Sequence, residues 1–279
     1  MSERRGRVEG KVAIVTGAGS TPGPGMATGR ACAIVLAREG AQVLLADVDG
    51  ARAEETREII EGEGGQAAVF AGDMTKAADC AAMVAAAVDA FGTLDILVNN
   101  IGVSIAGNVV DTDEADWDRV LDLSLKTMFL ASKNAVPVMA AKGAGAIVNI
   151  GSIAGSRGGN YVGYAAAKGG VNALTVDMAF SHGRQGIRVN AVAPGHITTP
   201  LLFSVLGVTP EADYRQRLAA AANLLGTAGD GWDVGWAATF LASDEARWIT
   251  GAILPVDGGV MAVTPLMMAA GLRAEPPPA

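Results

Sequence analysis

Val12-Ala13-Ile14-Val15-Thr16-Gly17-Ala18-Gly19-Ser20-Thr21-Pro22-Gly23-Pro24-Gly25-Met26-Ala27-Thr28-Gly29 is the stretch whose reading decides the fold. Four apolar residues bounded by Thr16 and Gly17 read as a short buried strand, and residues 27–39 carry helical periodicity. A glycine-rich turn between a strand and a helix lets the backbone approach a pyrophosphate, whose charge the helix N-terminus meets. The same alternation continues along the chain. Strands are predicted at residues 12–15, 42–46, 67–71, 96–98, 146–150, 188–192 and 252–255. Helices are predicted at 27–39, 51–61, 76–91, 114–141, 162–182 and 232–242. Gly40, Gly92 and Gly183 follow three of these helices, where a left-handed residue commonly ends one. Strands joined by a dozen or more helical residues must run parallel, with right-handed crossovers. Their near-continuous Val/Ile/Leu composition fits a sheet covered on both faces. The expectation is an α/β fold, a doubly wound parallel sheet in three α/β/α layers.

The chain has 279 residues, half of them hydrophobic and only 18% charged, a composition that excludes disorder for most of its length. No linker, repeat or composition break interrupts it, so residues 1–279 read as one domain. Residues 198–229 do not alternate and are expected to form a substrate loop inserted in the last crossover. Residues 261–279 read as a C-terminal tail ending in a proline run. With 21 basic against 29 acidic residues and no basic stripe, nucleic acid is not an expected partner. Cys32 and Cys80 are too few for a disulfide framework, and with only His182 and His196 no metal-ligand spacing occurs. Arg4, Arg5 and Arg7 are not followed by the apolar region of a signal peptide. No apolar run reaches the length of a membrane span, and the expected compartment is the cytoplasm.

Asp47 closes the second strand, 18 residues after Gly29. A carboxylate there can accept hydrogen bonds from the adenosine ribose hydroxyls and would repel a 2′-phosphate. Val48 and Asp49 follow with no Arg beside them, so NAD is expected rather than NADP. Tyr164 and Lys168 are four apart on one helix and share a face. An ammonium beside a phenol favours the phenolate, which would make Tyr164 a general base or acid near neutral pH. Ser152 lies 12 residues before Tyr164, just past the fifth strand, at the carboxyl edge where open sheets bind ligands. His182 ends a helix, where a cation complements the dipole. His196 has the option of a substrate contact, while Arg215 and Arg217 read as a solvated face.

From Lys11 to Val260 the sequence resembles the short-chain dehydrogenase/reductase family in its single-domain branch. Tyr164-Ala165-Ala166-Ala167-Lys168 matches that family's Tyr-x-x-x-Lys, and Ser152 stands at its catalytic serine. Asn99-Asn100-Ile101-Gly102 is similar to its Asn-Asn-Ala-Gly segment, and Gly72-Asp73-Met74-Thr75 to the stretch whose Asp and next residue touch adenine. Pro194-Gly195-His196-Ile197-Thr198-Thr199 resembles its Pro-Gly turn. The resemblance implies a Rossmann fold and cofactor contacts from Gly17, Ser20, Ala27, Thr28, Gly29, Asp47, Asp73, Met74, Asn100, Gly102, Tyr164, Lys168, Pro194, Gly195, Ile197 and Thr199. Ile197 would hold the carboxamide and Thr199 would contact the nicotinamide end.

It also implies a mechanism. Tyr164 would take the proton of a secondary alcohol as hydride leaves for the nicotinamide, Ser152 would hydrogen-bond the substrate oxygen, and Lys168 would lower the Tyr164 pKa and bind the ribose. Two departures stand out. The glycine turn is about six residues longer than the family's, with Gly17 first, Ala27 and Gly29 at the second and third glycines, and an insert at 21–26. Ser124 replaces the Asn that completes the family's catalytic tetrad, keeping a backbone carbonyl but losing the amide. The family further implies a homotetramer paired through the 114–141 and 162–182 helices. The expected activity is an NAD-dependent exchange of hydride with a secondary alcohol or ketone, the apolar 200–207 stretch favouring a cyclic or aromatic one. The alternatives are an NADPH-dependent carbonyl reductase of the 3-oxoacyl-carrier-protein type, against which Asp47 speaks, and a non-catalytic nucleotide-sensing regulator, which has no need of Ser152, Tyr164 and Lys168 together.

Overall fold

The computed structural model describes residues 6–200, 217 and 222–263; the expectations placed on 201–207, on Arg215, on the N-terminal arginines before residue 6 and on the tail from 264 lie outside the described residues. The chain order is β1 (Val12–Thr16), α1 (Thr28–Arg38), β2 (Gln42–Asp47), α2 (Gly50–Gly62), β3 (Gln66–Ala71), α3 (Ala77–Phe91), β4 (Ile96–Asn99) and α4 (Glu114–Leu121). A π-helical turn (Asp122–Lys126) leads directly into α5 (Thr127–Lys142), followed by β5 (Gly145–Ile150), α6 (Val162–His182) and β6 (Ile187–Pro194). Two short strands, β7 (Ile197–Thr198) and β8 (Gly229–Asp230), precede α7 (Gly231–Ala242) and β9 (Ile253–Val256).

Among the described residues seven strands form one parallel sheet in the order β3-β2-β1-β4-β5-β6-β9. Side chains alternate across it. Val15, Val43, Leu45 and Val98 pack on one face with Ile34 and Leu36 of α1 and with Val234 and Leu241 of α7. Ile14, Leu44, Leu97 and Ile147 pack on the other with Met83 of α3, Leu130 and Met139 of α5 and Met178 of α6. Burial on both faces is what the unalternating apolar strands require, and the three layers follow. A polar seam crosses the second layer. The Asn99 amide donates to Asn149 Oδ1 at 2.8 Å and to Ser132 Oγ at 3.1 Å, and the Asn149 amide donates to Thr175 Oγ1 at 2.9 Å. These bonds tie β4, α5, β5 and α6 together beneath the carboxyl edge.

Three details depart from the sequence expectation. The helix expected over 114–141 is interrupted by the π turn. Gly40 and Gly92 are left-handed, with φ of 92° and 85°, but Gly183 is not. There a 3₁₀ turn (Gly183–Gln185) tightens the helix end and hands the left-handed position to Gly186, at φ 79°. Finally, β7 pairs in parallel with β8, so the 198–229 segment begins and ends on a two-strand neck.

Candidate active site

The strand order reverses between β1 and β4, and a cleft of about 620 Å³ opens there over the carboxyl edge. Six of the seven strand ends contribute to it: Gly17 after β1, Asp47 on β2, Gly72 and Asp73 after β3, Asn100 and Gly102 after β4, Ser152 after β5, and Pro194 on β6. Ala27, Thr28, Gly29, Met74, Tyr164, Lys168, Gly195, Ile197 and Thr199 also line it. Of the predicted site residues, Ser20 and Ser124 are absent from this lining. Ser20 turns its hydroxyl to the Thr21 carbonyl at 3.0 Å.

The glycine turn is built for close backbone approach. A Cβ on Gly29 would stand 1.9 Å from the Gly17 carbonyl oxygen and 2.5 Å from the Asn100 amide nitrogen, so α1 seats its first turn directly on β1. The Asn100 amide donates to that same carbonyl at 3.0 Å, and its backbone N–H donates to Thr16 Oγ1 at 3.0 Å. At the end of β2, Asp47 accepts from the backbone N–H of Gly19 at 2.9 Å and of Asp49 at 3.0 Å. Each oxygen keeps a lone pair for a further donor. At the adjoining edge Asp73 accepts from Thr75 Oγ1 at 2.7 Å and from its N–H at 3.0 Å, and these bonds hold its carboxyl below the usual range.

At the other end of the cleft α6 carries Tyr164 and Lys168 one turn apart. The Lys168 side chain runs into the interior, where Nζ donates to the Ile150 carbonyl at 2.7 Å and stands 5.6 Å from the centre of the Tyr164 ring. Burial pushes its ammonium down to about 7. Burial also raises the Tyr164 phenol above its ordinary value, while a hydrogen bond with Ser152 pulls it back. The sequence led to the opposite expectation, a phenol lowered by its lysine. Both groups sit in a pocket where no carboxylate contributes to either shift, so desolvation drives each toward its neutral form.

Ser124 is fully buried in the π turn. Its hydroxyl accepts from the Val103 N–H at 3.0 Å and donates to the Val103 carbonyl at 3.1 Å. It thus pins the backbone behind Gly102, where a Cβ would come within 3.3 Å of Lys168 Nζ and 3.5 Å of Ser124 Oγ. Sequence reasoning missed Gly19, whose N–H holds Asp47, and Arg52. A Cβ on Gly19 would meet the Arg52 side chain at 2.7 Å, and Arg52 pairs with Asp49 at 3.0 Å. Arg52 lies five residues beyond Asp47 in sequence, in the first turn of α2, where its Cβ meets Gly19 of the glycine turn. His196 is exposed and outside the cleft lining, and Arg217 is exposed. Among the described residues no group of His, Cys, Asp and Glu has a metal-binding arrangement, and no helix is long and apolar enough to cross a membrane.

A family model described as enoyl-(acyl carrier protein) reductase matches residues 25–261. The chain is similar to 2-(S)-hydroxypropyl-CoM dehydrogenase 3 of Xanthobacter autotrophicus, at 40% identity over 261 residues that cover 92% of this chain and 99% of that protein. It is likewise 40% identical over 255 residues to cis-4-hydroxycyclohexanecarboxylate dehydrogenase of Sinomonas cyclohexanicum, covering 91% of this chain and 97% of the relative. The solved structure of a 7α-hydroxysteroid dehydrogenase complexed with NADH and 7-oxo glycochenodeoxycholic acid superposes with a TM-score of 0.82 at 34% identity, over 93% of this chain and 98% of that one. On the sheet order, the cleft at its switch point and these likenesses along nearly the whole length, the chain belongs to the short-chain dehydrogenase/reductase family of oxidoreductases acting on CH–OH groups.

Proposed function

We propose that this chain is an NAD-dependent dehydrogenase of an apolar, cyclic or aromatic secondary alcohol, running in reverse as a ketone reductase. The observation that carries the reading is the meeting of Ser152, Tyr164 and Lys168 in the one cleft that also holds Asp47. The glycine cradle at Gly17 and Gly29 fits a dinucleotide pyrophosphate, since side chains there would fill the space. Asp47 fits the adenosine ribose, Asp73 and Met74 the adenine, and Asn100, Gly102, Pro194, Gly195, Ile197 and Thr199 the remainder. The nicotinamide, when bound, supplies the carbon that accepts or returns hydride. Ser152 donates to the substrate oxygen and fixes the carbinol against Tyr164. Tyr164 Oη takes the hydroxyl proton during oxidation and gives it back during reduction. Lys168 holds the compensating positive charge beside the phenolate. Ser124 acts behind them, fixing the Gly102–Val103 backbone that faces Lys168.

The cyclic substrate class is supported by the names of the Sinomonas relative and the steroid dehydrogenase, and by the apolar lining from Ile101, Val103, Leu123 and Ile197. The proposed assembly is a homotetramer. In support, Leu121, Leu125, Phe129 and Leu174 line a groove over α4, the π turn, α5 and α6, rimmed by Asp122, Lys126 and Asp177, with Val176 and Phe180 exposed along α6. A second reading, an NADP-using carbonyl reductase, is favoured by Arg52, a cation whose Cβ packs against Gly19 beside Asp47 while its guanidinium pairs with Asp49. The test follows reduced-nicotinamide absorbance with a panel of cyclic secondary alcohols, NAD against NADP. Turnover with NAD is expected, falling about 10² to 10⁴-fold in Tyr164→Phe while NADH still binds. Preference for NADP replaces the first reading with the second, and equal activity of Tyr164→Phe refutes the assigned base.

A further inference from the structure

Gly17, Ala27 and Gly29 line the cradle, and from the insert at 21–26 only Thr21 joins them. The backbone of the insert goes elsewhere. Gly25, at φ 90°, lies so close to β7 that a Cβ would stand 3.1 Å from the Thr198 carbonyl oxygen. A Cβ on Gly23, at φ 144°, would stand 3.4 Å from the carbonyl oxygen of the buried Pro200. At the other foot of the neck, a Cβ on Gly231 would come within 2.4 Å of the Met26 carbonyl oxygen. The insert therefore packs backbone against backbone on the segment leaving β7 and on the residue following β8. Thr21 lines the cleft on one side of this contact, and Ile197 and Thr199 line it on the other.

The geometry points to the insert as a brace that fixes the Ile197–Pro200 wall from the pyrophosphate end of the cleft, with Gly23 and Gly25 as its positioning residues. This rests on the nicotinamide reading above. A bound dinucleotide then has its nicotinamide end held through Ile197 and Thr199 by residues that do not touch it. Loss of the brace weakens that end while leaving the adenosine and pyrophosphate end intact. Glycine suits position 25 best, since a side chain there adds left-handed strain and crowds the Thr198 carbonyl.

The experiment compares two ligands on the full chain. ADP-ribose, which lacks nicotinamide, is titrated by calorimetry, and NADH by the change in its own fluorescence on binding. In Gly25→Val the Kd for NADH is expected to rise about tenfold and the bound-state fluorescence to fall toward that of free NADH, with the Kd for ADP-ribose within about twofold. An equal loss for both ligands, or no loss for either, overturns the brace. Gly25→Ala carries the same comparison if the valine variant does not fold, as judged by circular dichroism. If the unsubstituted protein prefers NADPH, the pair becomes NADPH and 2′-phospho-ADP-ribose. Unsubstituted protein that binds no reduced dinucleotide overturns the cofactor reading itself, and the brace with it.

Discussion

Lys168 and Tyr164 share too dry a pocket to be treated as separate acids. One sits on the interior side of the phenol ring with its ammonium driven down to about 7, the other has its phenol raised by burial. A neutral Lys168 amine is a ready acceptor for the neighbouring phenol proton. Below pH 7 the pair carries both protons and offers no acceptor to an alcohol. As pH rises through about 7 it sheds one, and a phenolate beside an ammonium becomes accessible within the pair. Alcohol oxidation is therefore expected to climb through that pH and ketone reduction to decline. In Lys168→Met the phenol titrates alone, and the rising limb of kcat/KM for oxidation moves toward alkaline pH. Pre-steady-state rates measured between pH 5 and 10 check this, and a limb that stays near 7 in Lys168→Met removes the lysine from the titration.

At the scale of elements, α1 meets β1 at a very tight junction. Gly29→Ala places a methyl 1.9 Å from a backbone oxygen that is itself held by Asn100, so helix and strand must part. The expected cost is on the order of 2–3 kcal/mol, read as a lower urea midpoint. Gly62→Ala, where nothing lies within 4 Å, serves as the control and should be neutral or slightly stabilising. The strands, the helices flanking them and the strand-end residues of the cleft were legible in the sequence because period and punctuation encode them directly. The π turn was not: one extra residue inside a continuous apolar stripe leaves the 114–141 pattern looking like a single helix. The β7–β8 neck joins two-residue strands about 30 positions apart, too short to carry any period. Spacing placed Tyr164 by Lys168, but the direction of their shifts depends on exclusion of water, which spacing does not report. Arg52 was passed over because the turn after Asp47 was read only as far as Asp49.

At the scale of the whole molecule, α5 and α6 carry exposed apolar side chains among the described residues. Phe129 is 48% exposed and Phe180 88%, on helices whose other faces are packed in the core. Burying such side chains against a second copy is worth roughly 1.5–3 kcal/mol each. Phe129→Asp combined with Phe180→Asp is expected to lower the mass measured by light scattering to a smaller assembly, with the circular dichroism of the parent retained. A parent protein that already runs as a monomer defeats the tetramer.

The reversal of strand order between β1 and β4 has a consequence for descent. Everything assigned to the adenosine half lies before residue 96, and everything assigned to proton transfer lies after it. A recombination falling in the turn at Gly92 would let a lineage inherit its coenzyme preference from one ancestor and its chemistry from another. The bonds of Asn100 to Thr16 and Gly17 span that divide, and so does the contact of Gly23 and Gly25 with Thr198–Pro200. Those two stretches must travel together, and a relative that acquires one without the other inherits a mismatched pair.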